Sequence, residues 1–359
     1  MEIKFFQAEC GDAASLRYLG TDNKYHNIFI DAGYERTFRH VLEKEIQEIT
    51  NRGEQIDIWI ISHIHDDHIG GIIKYIDTIN DGEYKEIVNQ YFYNPPKGYD
   101  FNPSTKSASK FASIGQGDLL YEYLKSNNKL LNIDITNSME PVELFGLKIT
   151  ILSPSPQKLD NLRLKYPLDS TKSFEREEDE KISYAVAPQQ NDYKMLINDF
   201  TLDKWKEDVS VENGSSISVL TEFNNKKILW LADSHPTDIV NSLENLGFNE
   251  DNKIVCDWVK VTHHGSKGNN SDALYSLIEC NNYFFSVNGE NNHNLPSKEC
   301  IARILKNDRR PVNSKYKFHF TYDNEILRSI FKNENSSIYA EYNFEVFYGI
   351  EKYLKFDVV

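Results

Sequence analysis

No stretch of the 359-residue sequence approaches the ~18 consecutive apolar residues of a membrane span, so no transmembrane helix is expected. The first residues, Met1 to Gln7, lack a basic region followed by an apolar run, and no secretory leader is expected. Cysteine is scarce. The four present, Cys10, Cys256, Cys280 and Cys300, include no CxxC spacing. In a chain this long, that argues against a disulfide framework and for reduced thiols in a cytoplasmic protein. Positive charge is in deficit, with 40 Lys and Arg against 55 Asp and Glu and a formal net charge of −15. This balance works against a simple electrostatic grip on nucleic acid, although bound cations or a local basic patch can invert the field at one site. Internal repeats, RRM-like segments and helix-turn-helix patterns are all missing.

What is present is a globular composition rich in aromatic residues, chiefly 21 Tyr and 20 Phe, which favours strands over disorder. Strands are expected at 2–9, 14–19, 26–31, 56–61, 86–95, 143–152, 215–223, 226–232, 257–262 and 282–287. Helices are expected at 36–50, 69–79, 117–127, 236–246, 271–280 and 297–306. In the first helix Phe38, Val41, Leu42 and Ile46 fall at helical spacing. Gly70 and Gly71 let the first turn of the second pack closely against its neighbours. The Pro/Ser/Lys-rich stretch 96–115 reads as loop. The polar stretch of about 155–192 reads as a surface insertion, and 313–359 as a small β-rich extension packed on the core. Strand-rich halves with helices at intervals imply two mixed sheets with outer helices.

The chemistry is concentrated in residues 62–71, Ser-His-Ile-His-Asp-Asp-His-Ile-Gly-Gly. His63, His65, Asp67 and His68 place imidazole and carboxylate donors of the kind zinc, manganese or iron prefer directly after an apolar strand. They are too many for one tetrahedral ion with an open position. They divide naturally between two, His63 and His65 on one, Asp67 and His68 on the other. The plainer reading is a solvated His/Asp loop, but at the end of an apolar strand unpaired donors would carry a desolvation cost unless they bound something. Two further apolar strands end in similar donors: 228–232 delivers Asp233, and 259–262 delivers His263 and His264. Alone, Asp233 would more often cap the following helix. With the other motifs, it becomes a carboxylate that bridges two cations.

These residues carry a resemblance. SHIHDDHIGG resembles the signature of the metallo-β-lactamase superfamily, and within it is most similar to the soluble hydrolase domain of the DNA-uptake protein ComEC and its free-standing relatives. The likeness runs in order over roughly residues 1–306. Cys10-Gly11-Asp12-Ala13 resembles the N-terminal GD element, and Ile28-Phe29-Ile30-Asp31-Ala32-Gly33 the strand followed by D-x-G. Ala232-Asp233 resembles the later GD, Thr262-His263-His264-Gly265-Ser266 the HHGS element, and His293-Asn294-Leu295-Pro296-Ser297 the terminal H-P-S. The resemblance implies an α/β (α+β) metallo-β-lactamase fold, an αββα four-layer sandwich of two mixed β-sheets with outer helices. It implies a hydrolase domain over 1–306 and two divalent metal ions, Zn2+ or Mn2+. His63, His65, Asp67, His68, Asp233 and His263 are the expected ligands. Of the adjacent histidines, His263 is expected to ligate, and His264 to orient it or to contact substrate.

One departure stands out. Many superfamily members supply a further histidine ligand before the bridging aspartate, yet here no histidine lies between His68 and His235. The matching place is Asn213-Gly214-Ser215-Ser216, which leaves the His63/His65 ion one protein ligand short. Asn213 or Ser216 could contribute oxygen, although a turn before a strand is the commoner role of such a stretch. His293 is a candidate for contacting the leaving group, against the plainer reading of a surface histidine in a loop. His235 reads as a helix-start residue beside Pro236, and His26, His40 and His319 have no supporting context.

The expected reaction is hydrolysis by a metal-bound hydroxide, with Asp67 orienting the nucleophile and His293 stabilising the leaving oxygen. The resemblance points to a phosphodiester substrate, in DNA, RNA or a nucleotide. Lys260, Lys267, Arg303, Lys306, Arg309, Arg310, Lys315 and Lys317 could track phosphates, or simply decorate a solvated helix end and loop. The alternatives are hydrolysis of a small ester, lactone or amide, and a metal-poor interaction subunit that serves a partner protein. No membrane partner is expected.

Overall fold

The computed structural model describes residues 1–100, 113–166, 191–311 and 313–358. Period-two burial explains how its strands stack. Ile28 and Ile30 face one core and Phe29 the opposite one, and Ile58, Ile60 and Trp59 divide in the same way. A strand buried on both sides needs a sheet on one face and helices on the other.

The first sheet has the order β16-β1-β2-β3-β4-β5, where β1 is Glu2–Phe6, β2 Ala14–Leu19, β3 Tyr25–Ile30, β4 Ile56–Ile60, β5 Val88–Phe92 and β16 Tyr353–Asp357. β3, β4 and β5 run parallel and the other pairs antiparallel. The second sheet comprises β6 (Val142–Leu144), β7 (Leu147–Ser153), β8 (Ser218–Phe223), β9 (Lys226–Trp230), β11 (Trp258–Lys260), β13 (Asn282–Phe285), β14 (Tyr316–Phe320) and β15 (Phe344–Tyr348), in the order β15-β14-β13-β11-β9-β8-β7-β6. It is parallel from β9 to β15 and antiparallel from β6 to β9. A small parallel pair, β10 (Ile254–Cys256) and β12 (Ile278–Cys280), lies beside it.

The sheets meet face to face through Ile3, Phe5, Leu16, Ile151, Trp230 and Phe284, with Phe5 stacked on Phe284 at 3.5 Å between ring centroids. Helices Asp66–Asn80 and Ser113–Ser126 cover the outer face of the first sheet, and Pro236–Asn245 and Lys298–Lys306 that of the second. Two mixed sheets between helical layers form the metallo-β-lactamase fold expected from the sequence.

Several local expectations shift. The helix expected at 69–79 begins at Asp66, because His65 is extended and turns the chain directly into it. Asp67 and His68 therefore lie in its first turn. The helix expected over 271–280 is short, Asp272–Ser276, and β12 follows it at once. The polar stretch expected as a surface insertion starts with a helix, Pro156–Lys165, that buries Leu159 and Leu162, while 167–190 lies outside the described residues, as does 101–112 of the expected loop. The C-terminal segment supplies β14 and β15 to one sheet and β16 to the other, since strands with free backbone donors and acceptors are drawn to the open edges of existing sheets. Among the described residues, no helix is long and apolar enough to cross a membrane.

Candidate metal centre

Three loops at the ends of the first sheet's strands clasp one another through their backbones. The Asp12 amide donates to the Asp67 carbonyl at 3.1 Å, the Gly33 amide to the Asp12 carbonyl at 2.7 Å, and the Ala32 amide to the His68 carbonyl at 2.9 Å. The fit leaves no room at Gly11, where a Cβ would stand 2.2 Å from the Asp67 carbonyl oxygen. Asp31, fully buried, accepts from the Ser62 amide at 2.7 Å and the Ser62 hydroxyl at 2.8 Å, so it fixes the start of the histidine-bearing loop.

The second sheet delivers the other donors. Ala232, Asp233 and Ser234 follow β9, and the His263 amide donates to the Ala232 carbonyl at 2.8 Å. His263 and His264 both adopt the left-handed region, with φ of 45° and 52°. This costs roughly 1–2 kcal/mol for each residue with a Cβ, and such backbone persists where the surroundings dictate it.

The side chains converge on Asp233. Its Oδ2 lies 3.4 Å from His68 Nε2, 3.6 Å from His263 Nε2, 3.7 Å from His264 Nε2 and 4.0 Å from His63 Nε2. Asp67 Oδ2 lies 3.3 Å from His264 Nε2 and 3.7 Å from His68 Nε2. His63 Nε2 and His65 Nδ1 stand 3.0 Å apart. The far nitrogens are tethered: His68 Nδ1 to Asp31 at 2.8 Å, His264 Nδ1 to the Ser286 carbonyl at 2.9 Å, His263 Nδ1 to Asn269 Oδ1 at 2.8 Å, and His63 Nδ1 to the Ser62 hydroxyl at 3.0 Å. Tethers of this kind fix the ring and turn the other nitrogen toward the centre.

The donor set fits divalent cations. His68 Nε2, His264 Nε2 and Asp233 Oδ1 are buried with no hydrogen-bond partner among the described residues, a condition that costs roughly 1–3 kcal/mol per atom unless something else satisfies it. Three-donor groups form around His63, His68 and Asp233, and around Asp67, His68 and His264. The electrostatics agree. Burial opposes ionisation of Asp233, yet His263, His68 and His264 hold its carboxyl well below the usual range. Burial likewise opposes a charge on His68, but Asp233, Asp67 and Asp31 raise its pKa well above that of a free imidazole. His63 moves the other way, lowered by burial and by His68 and His65.

The structure places the expected residues as follows. His63, His65, Asp67, His68, Asp233 and His263 all border this one space. His264, expected to orient its neighbour or touch substrate, turns Nε2 into the cluster, because its left-handed backbone and the Ser286 tether aim the ring inward. His293 is solvent-accessible at the mouth. Partial burial and then His263 lower its pKa. Asn213 belongs to the surroundings of His263, with Nδ2 donating to Asp208 at 2.6 Å, and its Oδ1 and the Ser216 hydroxyl are buried without partners among the described residues. His235 begins the helix Pro236–Asn245, with Nδ1 2.6 Å from Lys158 Nζ.

The basic residues that could track phosphates or decorate a solvated helix end and loop lie as follows. Lys260 is buried beneath the cluster against Asp12. Arg303 is buried with Asp272 and Glu299, and Lys306 donates to the carbonyls of Ile197, Asn198 and Phe200. Arg310 donates to the carbonyls of Ser314 and Asn343, while Arg309 and Lys315 pair with Glu250 and Glu345. Lys267 is exposed, 3.8 Å from Glu299. Most of the set is engaged by the protein's own acceptors, Lys260 and Arg303 from buried positions and Arg309 and Lys315 in exposed pairs.

Sequence reasoning missed Asp208 and Asn269. Asn269, fully buried, links His263 to Asp208 and to the Asp233 carbonyl, each at 3.1 Å from its Nδ2. Neither residue sits in a ligand-like spacing, so no local signal marked them.

Comparison with known proteins gives a match of residues 22–148 to the family model described as the metallo-beta-lactamase superfamily. No curated protein matches. Among solved structures, a CmlA beta-hydroxylase mutant and CmlA itself, a diiron beta-hydroxylase from Streptomyces venezuelae, are similar at 11% identity and a TM-score of 0.38. Each alignment covers 99% of this chain and 54% of the other, so the chain spans about half the length of those proteins.

Proposed function

From a chain that carries a metallo-β-lactamase superfamily domain, and whose loops gather imidazoles around one buried carboxylate, we propose a metal-dependent hydrolase that cleaves phosphodiester bonds in a compact substrate. The observation that carries the reading is the approach of four imidazole nitrogens to Asp233 Oδ2, with His68 and His264 Nε2 unpartnered among the described residues. His63, His65, Asp67, His68, Asp233, His263 and His264 would hold two divalent cations. Bound there, cations supply Lewis acidity to water and to the scissile group near neutral pH.

The chain's own residues do the rest. Asp67 is the carboxylate of the centre that reaches toward solvent, its side chain 21% exposed against 1% for Asp233, so it accepts a hydrogen bond from the attacking water and orients it. His293, at the mouth, is neutral at pH 7 and donates a hydrogen bond to the leaving oxygen. That most of the basic residues from Lys260 to Lys317 named above are held by the protein's own acceptors argues against a long nucleic-acid track along that face and for a nucleotide or a strand end. The same commitment of those residues favours the second reading, an uncharged ester, lactone or amide.

The test is a substrate panel. Protein supplied with Mn2+ or Zn2+ is assayed on a simple aryl phosphodiester, cyclic and linear dinucleotides, labelled DNA and RNA, a lactone and a chromogenic β-lactam. Turnover of phosphodiesters, reduced at least ~100-fold by Asp67→Ala, is expected from loss of the proton acceptor. Turnover confined to the lactone or lactam would select the second reading. A chain that takes up no metal would leave the interaction subunit as the better account.

A further inference from the structure

Two loops that border the centre are held from behind by the C-terminal segment. The chain leaving β1 donates three hydrogen bonds to that segment. The Gln7 amide reaches the Lys352 carbonyl at 2.8 Å, the Gln7 side chain the Thr321 carbonyl at 3.0 Å, and the Glu9 amide the Tyr322 phenol oxygen at 2.7 Å. The loop after β13 is held from the same place. The Thr321 hydroxyl accepts from the Val287 amide at 3.0 Å and lies 3.2 Å from the Val287 carbonyl, and the Thr321 amide donates to the Phe285 carbonyl at 3.2 Å. Both loops act on the centre. The first carries Gly11, packed on the Asp67 carbonyl, and Asp12, whose amide donates to that carbonyl. The second presents the Ser286 carbonyl to His264 Nδ1. The loops are also joined to each other, since the Ser286 hydroxyl donates to the Gly11 carbonyl at 2.6 Å.

We propose that Thr321 and Tyr322, directly after β14, are positioning residues of the centre. Tyr322 acts through Glu9 and Gly11 on Asp67, and Thr321 through Val287 and Ser286 on His264. Glu9 shows why the first loop needs a support. It lies in the left-handed region, at φ 61°, which disfavours any residue with a Cβ and persists where the surroundings dictate it. The Gly11 amide closes this turn on the Ala8 carbonyl at 2.9 Å, and the Tyr322 oxygen takes the Glu9 amide. Partial burial raises the pKa of the Tyr322 phenol, so the group is neutral at pH 7. Thr321 is 1% exposed, and its amide, carbonyl and hydroxyl are all engaged by the two loops. Both residues lie beyond 1–306, the stretch that carries the sequence motifs. The C-terminal segment is therefore a working part of the site as well as a source of edge strands. The inference rests on reading the cluster as a hydrolytic metal centre.

The test uses three variants of the full chain. Tyr322→Phe keeps the ring and removes only the oxygen, and Thr321→Val keeps the shape and removes the hydroxyl. Tyr342→Phe is the control, because it deletes a phenol of the same segment that donates instead to Asn198 Oδ1 at 2.6 Å. Each is titrated with Co2+, whose visible absorption reports the arrangement of its ligands, and melting checks the fold. Values of kcat and KM are measured on whichever substrate of the panel the wild type turns over. Tyr322→Phe and Thr321→Val are each expected to bind Co2+ roughly 10–100-fold more weakly, the range typical of contacts that support ligands. An altered Co2+ spectrum and a lower kcat with unchanged KM should accompany the loss, while Tyr342→Phe matches the wild type. Test variants that match the control in Co2+ affinity and spectrum overturn the proposal, whatever their melting temperatures. If Tyr322→Phe does not fold, Thr321→Val decides alone. Wild-type protein that takes up no Co2+ overturns the functional reading instead, and amide exchange in the metal-free chain then decides the positioning. Faster exchange over 8–13 and 284–288 in Tyr322→Phe than in Tyr342→Phe supports it, and equal exchange overturns it.

Discussion

The ammonium of Lys260 lies against Asp12 and 4.0 Å from Asp233 Oδ1, on the side of that carboxylate turned away from the imidazoles. Both partners are buried, and Lys260 also donates to the Ala232 carbonyl at 3.2 Å. The expected phosphate contact is thus an internal counter-charge.

Removing it should cost stability. Lys260→Met strands the Asp12 carboxylate in a dry setting, and loss of one member of a buried pair typically costs about 3–5 kcal/mol. Adding Asp12→Asn should restore a large part of that loss. Urea denaturation of the single and double variants measures both, and equal stability of the two would show that the pair is not coupled.

Gly11→Ala should damage the centre more than the fold. A methyl there meets the Asp67 carbonyl oxygen at 2.2 Å, a backbone atom that cannot swing aside. The Asp67 loop must shift, and misplacement near 1 Å can cost about 100-fold in rate. The expected result is a steep fall in kcat/KM with a melting temperature within a few degrees of wild type. A variant as active as wild type would mean that the clasp of the two loops is looser than described.

His319 gives a pH signature far from the centre. Its ring is stacked 4.8 Å from Phe347 and packed on Trp258, and burial, with Lys317 nearby, lowers its pKa from 6.5 to about 4. Between those values the unfolded chain binds a proton that the folded chain does not. Stability from this group is therefore complete above pH 6.5 and is lost as pH falls toward 4. At pH 5 the loss amounts to roughly 1–2 kcal/mol. His319→Phe keeps the stacking and should flatten the fall in stability between pH 7 and pH 5 by that amount, measurable by urea titration at each pH.

Deleting residues 350–359 should destabilise the protein instead of changing its substrate range. The cut removes β16, which pairs along the whole of β1 and packs Leu354 and Phe356 against the core between the sheets. Exposing that edge invites association between chains. Lower melting temperature and concentration-dependent aggregation, with an unaltered order of preference among substrates, is the expected outcome.

The legible parts of this molecule were those written locally. His63, His65, Asp67 and His68 announce themselves because four donors follow one apolar strand, and Asp233 and His263 because each repeats that arrangement. The start of the helix at Asp66 was hidden, since a His/Asp run reads as loop until the extended His65 is seen to turn straight into it. The inward placement of His264 goes with a pair of positive φ values, which composition does not encode. Asn269 and Asp208 act through contacts whose partners are distant in sequence. The basic residues misled for a related reason: a lysine's charge is plain in the sequence, but whether Asp12 already holds it is decided only by the folded backbone. Pairing of β16 with β1 is the extreme case, joining opposite ends of the chain.

The tethers on the four imidazoles have a mechanical side. Asp31 and Ser62 belong to the first sheet's loops, whereas Ser286 and Asn269 belong to the second's. An ion held between those rings would act as a rivet through the seam of the sandwich, joining its two halves at one end. A chelator should therefore loosen that end of the molecule, with amide exchange rising first around Ser62 and Ser286, while the aromatic stack of Phe5 on Phe284 keeps the interior shut.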